Sequence, residues 1–284
     1  MVDLKRMLER ETEEFYDRQD FPINDGISNY EIEEFNGFLH IKKYSGFDED
    51  TIEIPAVING KKVITIGENA FCGCLHLKHL IVPEGVQTIM NGAFCDCTHL
   101  EQVDLPQSLV HIGNELANSD KDNLKGAFEN CKIEQIELPH GLQTIGPSAF
   151  GMCENLKSIS ISEGVTRIDQ LCFAYCFSLE KILLPSSLRK IANRAFCLCS
   201  KLKNVYLSDG IEEIGMEAFN TYNSLDIRIP ESVTKIADNA FGAIESNLTK
   251  PTIHCCSGSY ALRFARTHNY SYERDDETFK KIFV

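Results

Sequence analysis

The stretches VPEGVQTIMNGAFCDCTHL, residues 82–100, and LPHGLQTIGPSAFGMCENL, residues 138–156, are two copies of one pattern. Working outward from them, the Phe recurs as Phe71, Phe94, Phe128, Phe150, Phe173, Phe196, Phe219 and Phe241, at spacings of 23, 34, 22, 23, 23, 23 and 22. Ala precedes it in seven of eight copies, with Cys172 in the exception. Five residues before the Phe stand Ile66, Ile89, Ile145, Ile168, Ile191, Ile214 and Ile236. Three residues earlier stand Val63, Val86, Leu142, Val165, Leu188, Ile211 and Val233. In the third copy Leu109 and Ile112 take these roles. Leu77, Leu100, Leu156, Leu179, Leu202 and Leu225 follow the Phe by six. Pro83, Pro106, Pro139, Pro185 and Pro230 form a further column, replaced by Ser162 and Ser208 in two copies.

One unit therefore reads Leu-x-x-Ile-x-Ile-Pro-x-x-Val-x-x-Ile-Gly-x-x-Ala-Phe-x-x-Cys. Ile-x-Ile alternates, so it predicts a short strand with one buried face. Pro ends that strand because it has no N–H to give a ladder. Val-x-x-Ile returns along the outer side, and a Gly or small polar residue permits the next corner. Ala-Phe-x-x-Cys-x-x-Leu has helical spacing and predicts one short helical turn. No unit buries these faces alone, so like residues must stack on like. The expected fold is an α/β repeat solenoid: a right-handed coil with a parallel concave β-sheet, short helical or 3-10 turns on the other side, and capped ends. Eight registers across several columns make this a repeat array rather than a chance pattern.

The quoted segments resemble the BspA-like (Treponema-type) leucine-rich repeat family. The likeness covers roughly residues 38–268, and the first unit, IPAVINGKKVITIGENAF, resembles how such arrays begin, with an Asn-Gly turn after the Pro. It is specific for fold and weak for function. It implies a bacterial protein-binding module and, for exported members, adhesion to host proteins.

The chain divides into residues 1–37, an N-terminal helix and cap; 38–253, the solenoid, with an insertion near 114–126; and 254–284, a C-terminal helical cap and tail. Residues 3–18 fit an amphipathic helix with Leu4, Met7, Leu8 and Phe15 on one stripe. Residues 30–44 read as a hairpin around Asn36-Gly37. Ser257 or Ser259 is placed to cap a helix through Tyr260, Leu262, Phe264 and Ala265. The insertion, eleven residues that include NSDKDNLKG, suits a surface loop.

Composition narrows the classes. Net charge is −14 over 284 residues, which opposes general nucleic-acid binding and docking on anionic lipid. No apolar run has the ~18–20 residues a membrane span needs. The start, MVDLKRMLERETEEF, shows neither an apolar core segment nor a cleavage site, so the expectation is a cytoplasmic monomer, secreted or at the cell surface if a leader has been removed.

Chemistry is sparse. Cys74, Cys97, Cys131, Cys153, Cys176 and Cys199 all follow the Phe by three, and Tyr222 and Ile244 complete that column. Ile is no metal ligand, so the column reads as buried thiols acting as small apolar groups. Cys72, Cys95 and Cys197 make Cys-x-Cys pairs, a poor fit to a zinc knuckle. Disulfides between stacked repeats stay open if the protein is exported but are disfavoured, because column residues sit about 5 Å apart and point in parallel. The eight histidines share no column, and His76 and His79 beside Cys72 and Cys74 are a weak zinc constellation. No nucleophile elbow, phosphate loop or metalloprotease helix is present. The expectation is no enzyme, no cofactor and no metal.

Binding is then placed on residues that flank the buried strand positions and point outward: Gln102, Asp104, Gln135, Glu137, Ser158, Ser160, Lys181, Leu183, Asn204, Tyr206, Asp226 and Arg228. The early part of this set is acidic and the later part mixes cations with Leu183 and Tyr206, a mixture suited to anchoring a protein partner. Alternatives are an exported cell-surface adhesin, an intracellular scaffold or an enzyme accessory. Arg167 and Arg189-Lys190 on the outer side read as solubilising charge.

Overall fold

The computed structural model describes residues 29–46, 49–113, 125–221, 223–242 and 250–274. The expected helix over 3–18, most of the insertion, the column positions Tyr222 and Ile244, and the tail from residue 275 lie outside them. Each repeat makes one circuit with three hydrogen-bonded walls.

The first wall comes from Ile-x-Ile. Thr51–Glu53, His79–Ile81 and Gln102–Asp104 pair in parallel. Ser158–Ser160 pairs with Lys181–Leu183, and Gln135 bridges to Ser158. Asn204–Tyr206, Asp226–Arg228, Thr252–Cys255 and Ser271–Arg274 form a third block. Ile52, Leu80, Val103, Ile136, Ile159, Ile182, Val205, Ile227 and Ile253 are the buried centres of these strands. Pro then stops the ladder and starts a turn: the Val86 N–H donates to the Pro83 carbonyl at 3.4 Å, and Leu109 to Pro106 at 3.2 Å.

The second wall is a series of short strands where only a return segment was expected. Ile66, Ile89, Ile112 and Ile145 align in parallel register, as do Ile168, Ile191, Ile214 and Ile236. Corners between the walls are tied across repeats. The Glu84 carboxylate accepts from the Gln107 and Ser108 amides at 2.8 and 3.2 Å. Glu163 does the same for Ser186 and Ser187 at 3.0 and 3.3 Å, and those amides, Ser186 foremost, hold its carboxyl below the usual carboxylate range.

The third wall corrects the helical expectation. Ala-Phe-x-x-Cys forms consecutive turns, and the α-helix among the described residues is Tyr260–Thr267. The fold is thus mainly β. The reason lies in where alternate N–H groups go. Cys172, Ala174 and Cys176 donate within their own turn to Asp169, Leu171 and Phe173. Leu171, Phe173 and Tyr175 instead donate forward to Asn193, Ala195 and Cys197 of the next repeat, at 3.2, 2.9 and 2.8 Å. A helix would keep every N–H in its own segment. Sharing them outward requires the chain to flip, and Leu171 and Tyr175 have φ of 58° and 63°. The corresponding flips fall at Asn69 and Gly73 in the first repeat, and at Arg194 and Leu198 in the sixth.

Inside, the Phe rings stack. From Phe71 to Phe219 neighbouring centroids lie 5.0–5.6 Å apart with planes within 22°, an offset-stack spacing. The column does not stop at the repeats. Tyr44 stacks on Phe71 at 4.9 Å, and Phe264 and Tyr270 close on Phe241 at 6.2 and 5.7 Å. Tyr44 is delivered by the hairpin Tyr30–Phe35 and Phe38–Tyr44, whose turn residues Asn36 and Gly37 have φ of 50° and 80°. Phe264 is delivered by the helix, which Ser259 caps by accepting from the Leu262 N–H at 3.1 Å.

The cysteine column has a polar task that its apolar burial conceals. The thiols of Cys97, Cys131, Cys153, Cys176 and Cys199 each donate to the carbonyl of the preceding repeat's Phe at 3.1–3.2 Å. Burial pushes the Cys153 thiol up to about 12, so this column holds its protons at neutral pH.

Candidate functional surface

Because strand side chains alternate, each three-residue strand of the first wall offers two outward positions. Parallel in-register pairing lines these up into two rows. One row runs His79, Gln102, then Gln135, Ser158, Lys181, then Asn204, Asp226, Thr252, Ser271. The other runs Ile81, Asp104, then Ser160, Leu183, then Tyr206, Arg228, His254, Glu273. Glu137 is exposed beside the second.

The sequence-derived set divides on inspection. Gln102, Asp104, Gln135, Glu137, Ser158, Ser160, Lys181, Leu183 and Asn204 are exposed. Leu183 is 41% exposed, an unusual fraction for a large aliphatic side chain on a strand. Tyr206 and Asp226 are half-buried. Arg228 is only 5% exposed. Its guanidinium turns back to donate to the Leu207 carbonyl at 2.9 Å and to Asp209 at 2.7 Å. It also lies 4.8 Å from the centroid of the Tyr206 ring. Strand parity points Arg228 outward, as expected, but its length lets the charge fold onto neighbours. It shapes this end of the wall rather than projecting from it.

Two wall residues escaped the sequence reading. His79 sits 2.8 Å from the Asp104 carboxylate, and Gln102 donates to the other oxygen of that carboxylate at 3.4 Å. His254 is buried in the same row as Arg228, with Asp226 and Glu273 each at 3.7 Å. Scattered in sequence, these histidines share the wall only once the last strands are added to it. His79 is thus paired with Asp104 on the first wall.

A different trio has metal-ligand chemistry. Ligand atoms of Cys72, Cys95 and Asp96 lie within 4.8 Å of one another on the third wall, which carries the Phe column and is called the Phe wall below. Cys95 is buried, and the Cys95 and Cys72 sulfurs approach to 2.6 Å. Asp96 is already engaged by Lys125 and by the Asn130 amide at 2.9 Å. These two contacts, the amide first, hold its carboxyl below the usual range.

The Phe wall also bears exposed apolar side chains. Met152, Tyr175 and Phe177 are 40%, 40% and 38% exposed. Tyr175 and Phe177 meet edge to face at 6.2 Å.

The family described as BspA type leucine-rich repeat region matches residues 40–125 and 124–249, in six copies. The coil is similar to the crystal structure of a leucine-rich repeat protein from T. pallidum, with 22% identity, 88% of this chain and 98% of that chain covered, and a TM-score of 0.50. It is also similar to a leucine-rich repeat protein from Bacteroides ovatus, with 25% identity over 81% of this chain and 71% of that one, and a TM-score of 0.43. No curated protein matches the chain. No helix among the described residues is long and apolar enough to cross a membrane.

Proposed function

Since the chain belongs to the BspA-type leucine-rich repeat family, we propose that it is a non-catalytic protein-binding module whose first wall is the concave contact surface. The observation that carries this reading is the pair of aligned outward rows. Their middle section, Ser158, Ser160, Lys181, Leu183 and Asn204, combines an exposed Leu with small and charged neighbours. An exposed aliphatic side chain among polar ones gives a partner apolar area to bury. The short Ser158 and Ser160 on the neighbouring strand leave room beside Leu183 for a partner's own anchor. Two settings suit a module of this kind. One is an exported cell-surface adhesin that contacts host proteins. The other is an intracellular scaffold or enzyme accessory.

The exposed Met152, Tyr175 and Phe177 favour a second reading, contact through the Phe wall. One experiment separates the two. Tagged wild type, Leu183→Glu with Ser158→Arg, and Met152→Ser with Tyr175→Ser are used as baits in the native lysate and against host extracellular proteins. The expected result is a partner retained by wild type and the Phe-wall variant and reduced at least about tenfold by the first-wall variant, since losing a central anchor costs more than ~1.4 kcal/mol. Equal retention by all three overturns the first-wall assignment. Loss in the Phe-wall variant alone moves the contact there.

A further inference from the structure

Two sets of thiols lie on the Phe wall, and the structure treats them differently. The inner set is spent on backbone carbonyls. The outer set occupies the position just after the Phe, held in successive repeats by Cys72, Cys95, Glu129, Gly151, Ala174, Cys197, Asn220 and Gly242. Only at Cys72 and Cys95 do two thiols fall in adjacent repeats. The backbone ladder brings them together: the Phe71 and Gly73 N–H groups, on either side of Cys72, donate to the Ala93 and Cys95 carbonyls at 2.7 and 2.8 Å. Cys72 is half-buried at the surface and Cys95 is closed behind it.

We propose that Cys72 and Cys95 form a reversible disulfide between the first two repeats, with Cys72 the thiol that meets the oxidant. Two observations favour this over the metal site the same trio suggests. The 2.6 Å between the sulfurs must close by only about half an ångström to reach a disulfide bond of about 2.05 Å. Tetrahedral zinc with bonds of about 2.3 Å would instead need the sulfurs opened to about 3.8 Å. The third ligand, Asp96, is held by Lys125 and Asn130. Cys95, closed behind Cys72, is placed for the second, resolving attack.

The chemistry balances with a low-molecular-weight disulfide, RSSR, as oxidant. The Cys72 thiolate attacks one sulfur, the S–S bond of RSSR breaks, and a first thiolate leaves. Cys95 then gives its proton to solvent and attacks the Cys72 sulfur. The mixed disulfide breaks and a second thiolate leaves. The two thiolates take up two protons. The protein pair loses two electrons and RSSR becomes two RSH.

The test uses the full chain, purified with reductant and then exchanged into oxidised glutathione. Non-reducing peptide mass spectrometry is expected to find the Cys72 and Cys95 peptides linked and 2 Da lighter than the sum of the reduced forms. The link should reverse with dithiothreitol, and oxidation should raise the thermal midpoint. Cys72→Ser and Cys95→Ser abolish the link, while Cys256→Ser, at another half-buried thiol, keeps it. Cys72→Ser alters a surface position, so it reports even if Cys95→Ser fails to fold. A stable glutathione adduct on Cys72 with no link overturns the proposal. So does a link to a different cysteine. Stoichiometric retention of added zinc chloride that shields both thiols from alkylation overturns it in favour of the metal.

Discussion

The Phe wall and the first wall have the same period and are built by opposite rules. On the Phe wall the inward position is Phe in every repeat, and the rings lie within 22° of parallel from Phe71 to Phe219. On the first wall the inward positions are aliphatic, while the outward ones change from Gln102 to Ser158 to Lys181 to Asn204. Uniformity marks what stacking demands. Variation marks what stacking leaves free. A column that recurs is explained by its neighbours in the coil, whereas a residue that differs from the one above and below it must answer to something else.

The strongest challenge to this contrast is Phe173→Ala, which removes a fully buried ring between Phe150 and Phe196. A loss of about 3–5 kcal/mol is expected from denaturant unfolding, and unchanged unfolding would mean that the column does not hold the coil together.

A subtler challenge concerns the flipped positions. Leu171 adopts φ of 58°, which costs an L-residue roughly 1–2 kcal/mol. Gly relieves that cost and a β-branched residue worsens it. Leu171→Gly should therefore stay within about 1 kcal/mol of wild type, with Leu171→Val the less stable of the two. Equilibrium unfolding that gave the reverse order, as side-chain size alone would dictate, would remove backbone flipping as the reason this wall is not helical.

The smallest effect is expected on the first wall. Lys181→Ala, at an exposed outward position, should shift stability by no more than about 0.5 kcal/mol. A larger loss on thermal or chemical unfolding would show that this row supports the fold, and the contrast between the walls would blur.

The coil was legible because its information is redundant. Any single Phe or Ile is ambiguous, but Ile145, Ile168 and Ile191 in step with Phe150, Phe173 and Phe196 are not. The end hairpin was legible from Asn36-Gly37, whose conformation follows from local chemistry. The flipped residues were not, because Asn69, Gly92, Ser148, Leu171, Arg194 and Glu217 share a backbone conformation without sharing a side-chain type. Helical spacing was the visible signal there, and the hydrogen bonds that defeat it run between repeats. The cysteine column was read as apolar because a thiol that donates to a carbonyl has the same burial as one that does not. Of the candidate surface, parity gave the outward positions. It could not reveal that Arg228 folds back onto Asp209, nor that His79 and Asp104, 25 residues apart, lie side by side.

The shared N–H groups of the Phe wall give the stack a polarity. Leu171, Phe173 and Tyr175 each hand a donor toward the C-terminal end, as Asn69, Phe71 and Gly73 do four circuits earlier. The opening repeat thus turns its carbonyls toward the leading lid, and donors are passed on toward the trailing one. The two lids cannot be exchanged. The leading lid has to supply a hydrogen, as the Tyr44 N–H does for the Ala70 carbonyl at 2.7 Å, and the trailing lid has to supply an oxygen. An array of this kind can grow by duplicating units in its interior, or join another head to tail, but two of them cannot meet leading end to leading end on this wall without leaving carbonyl facing carbonyl.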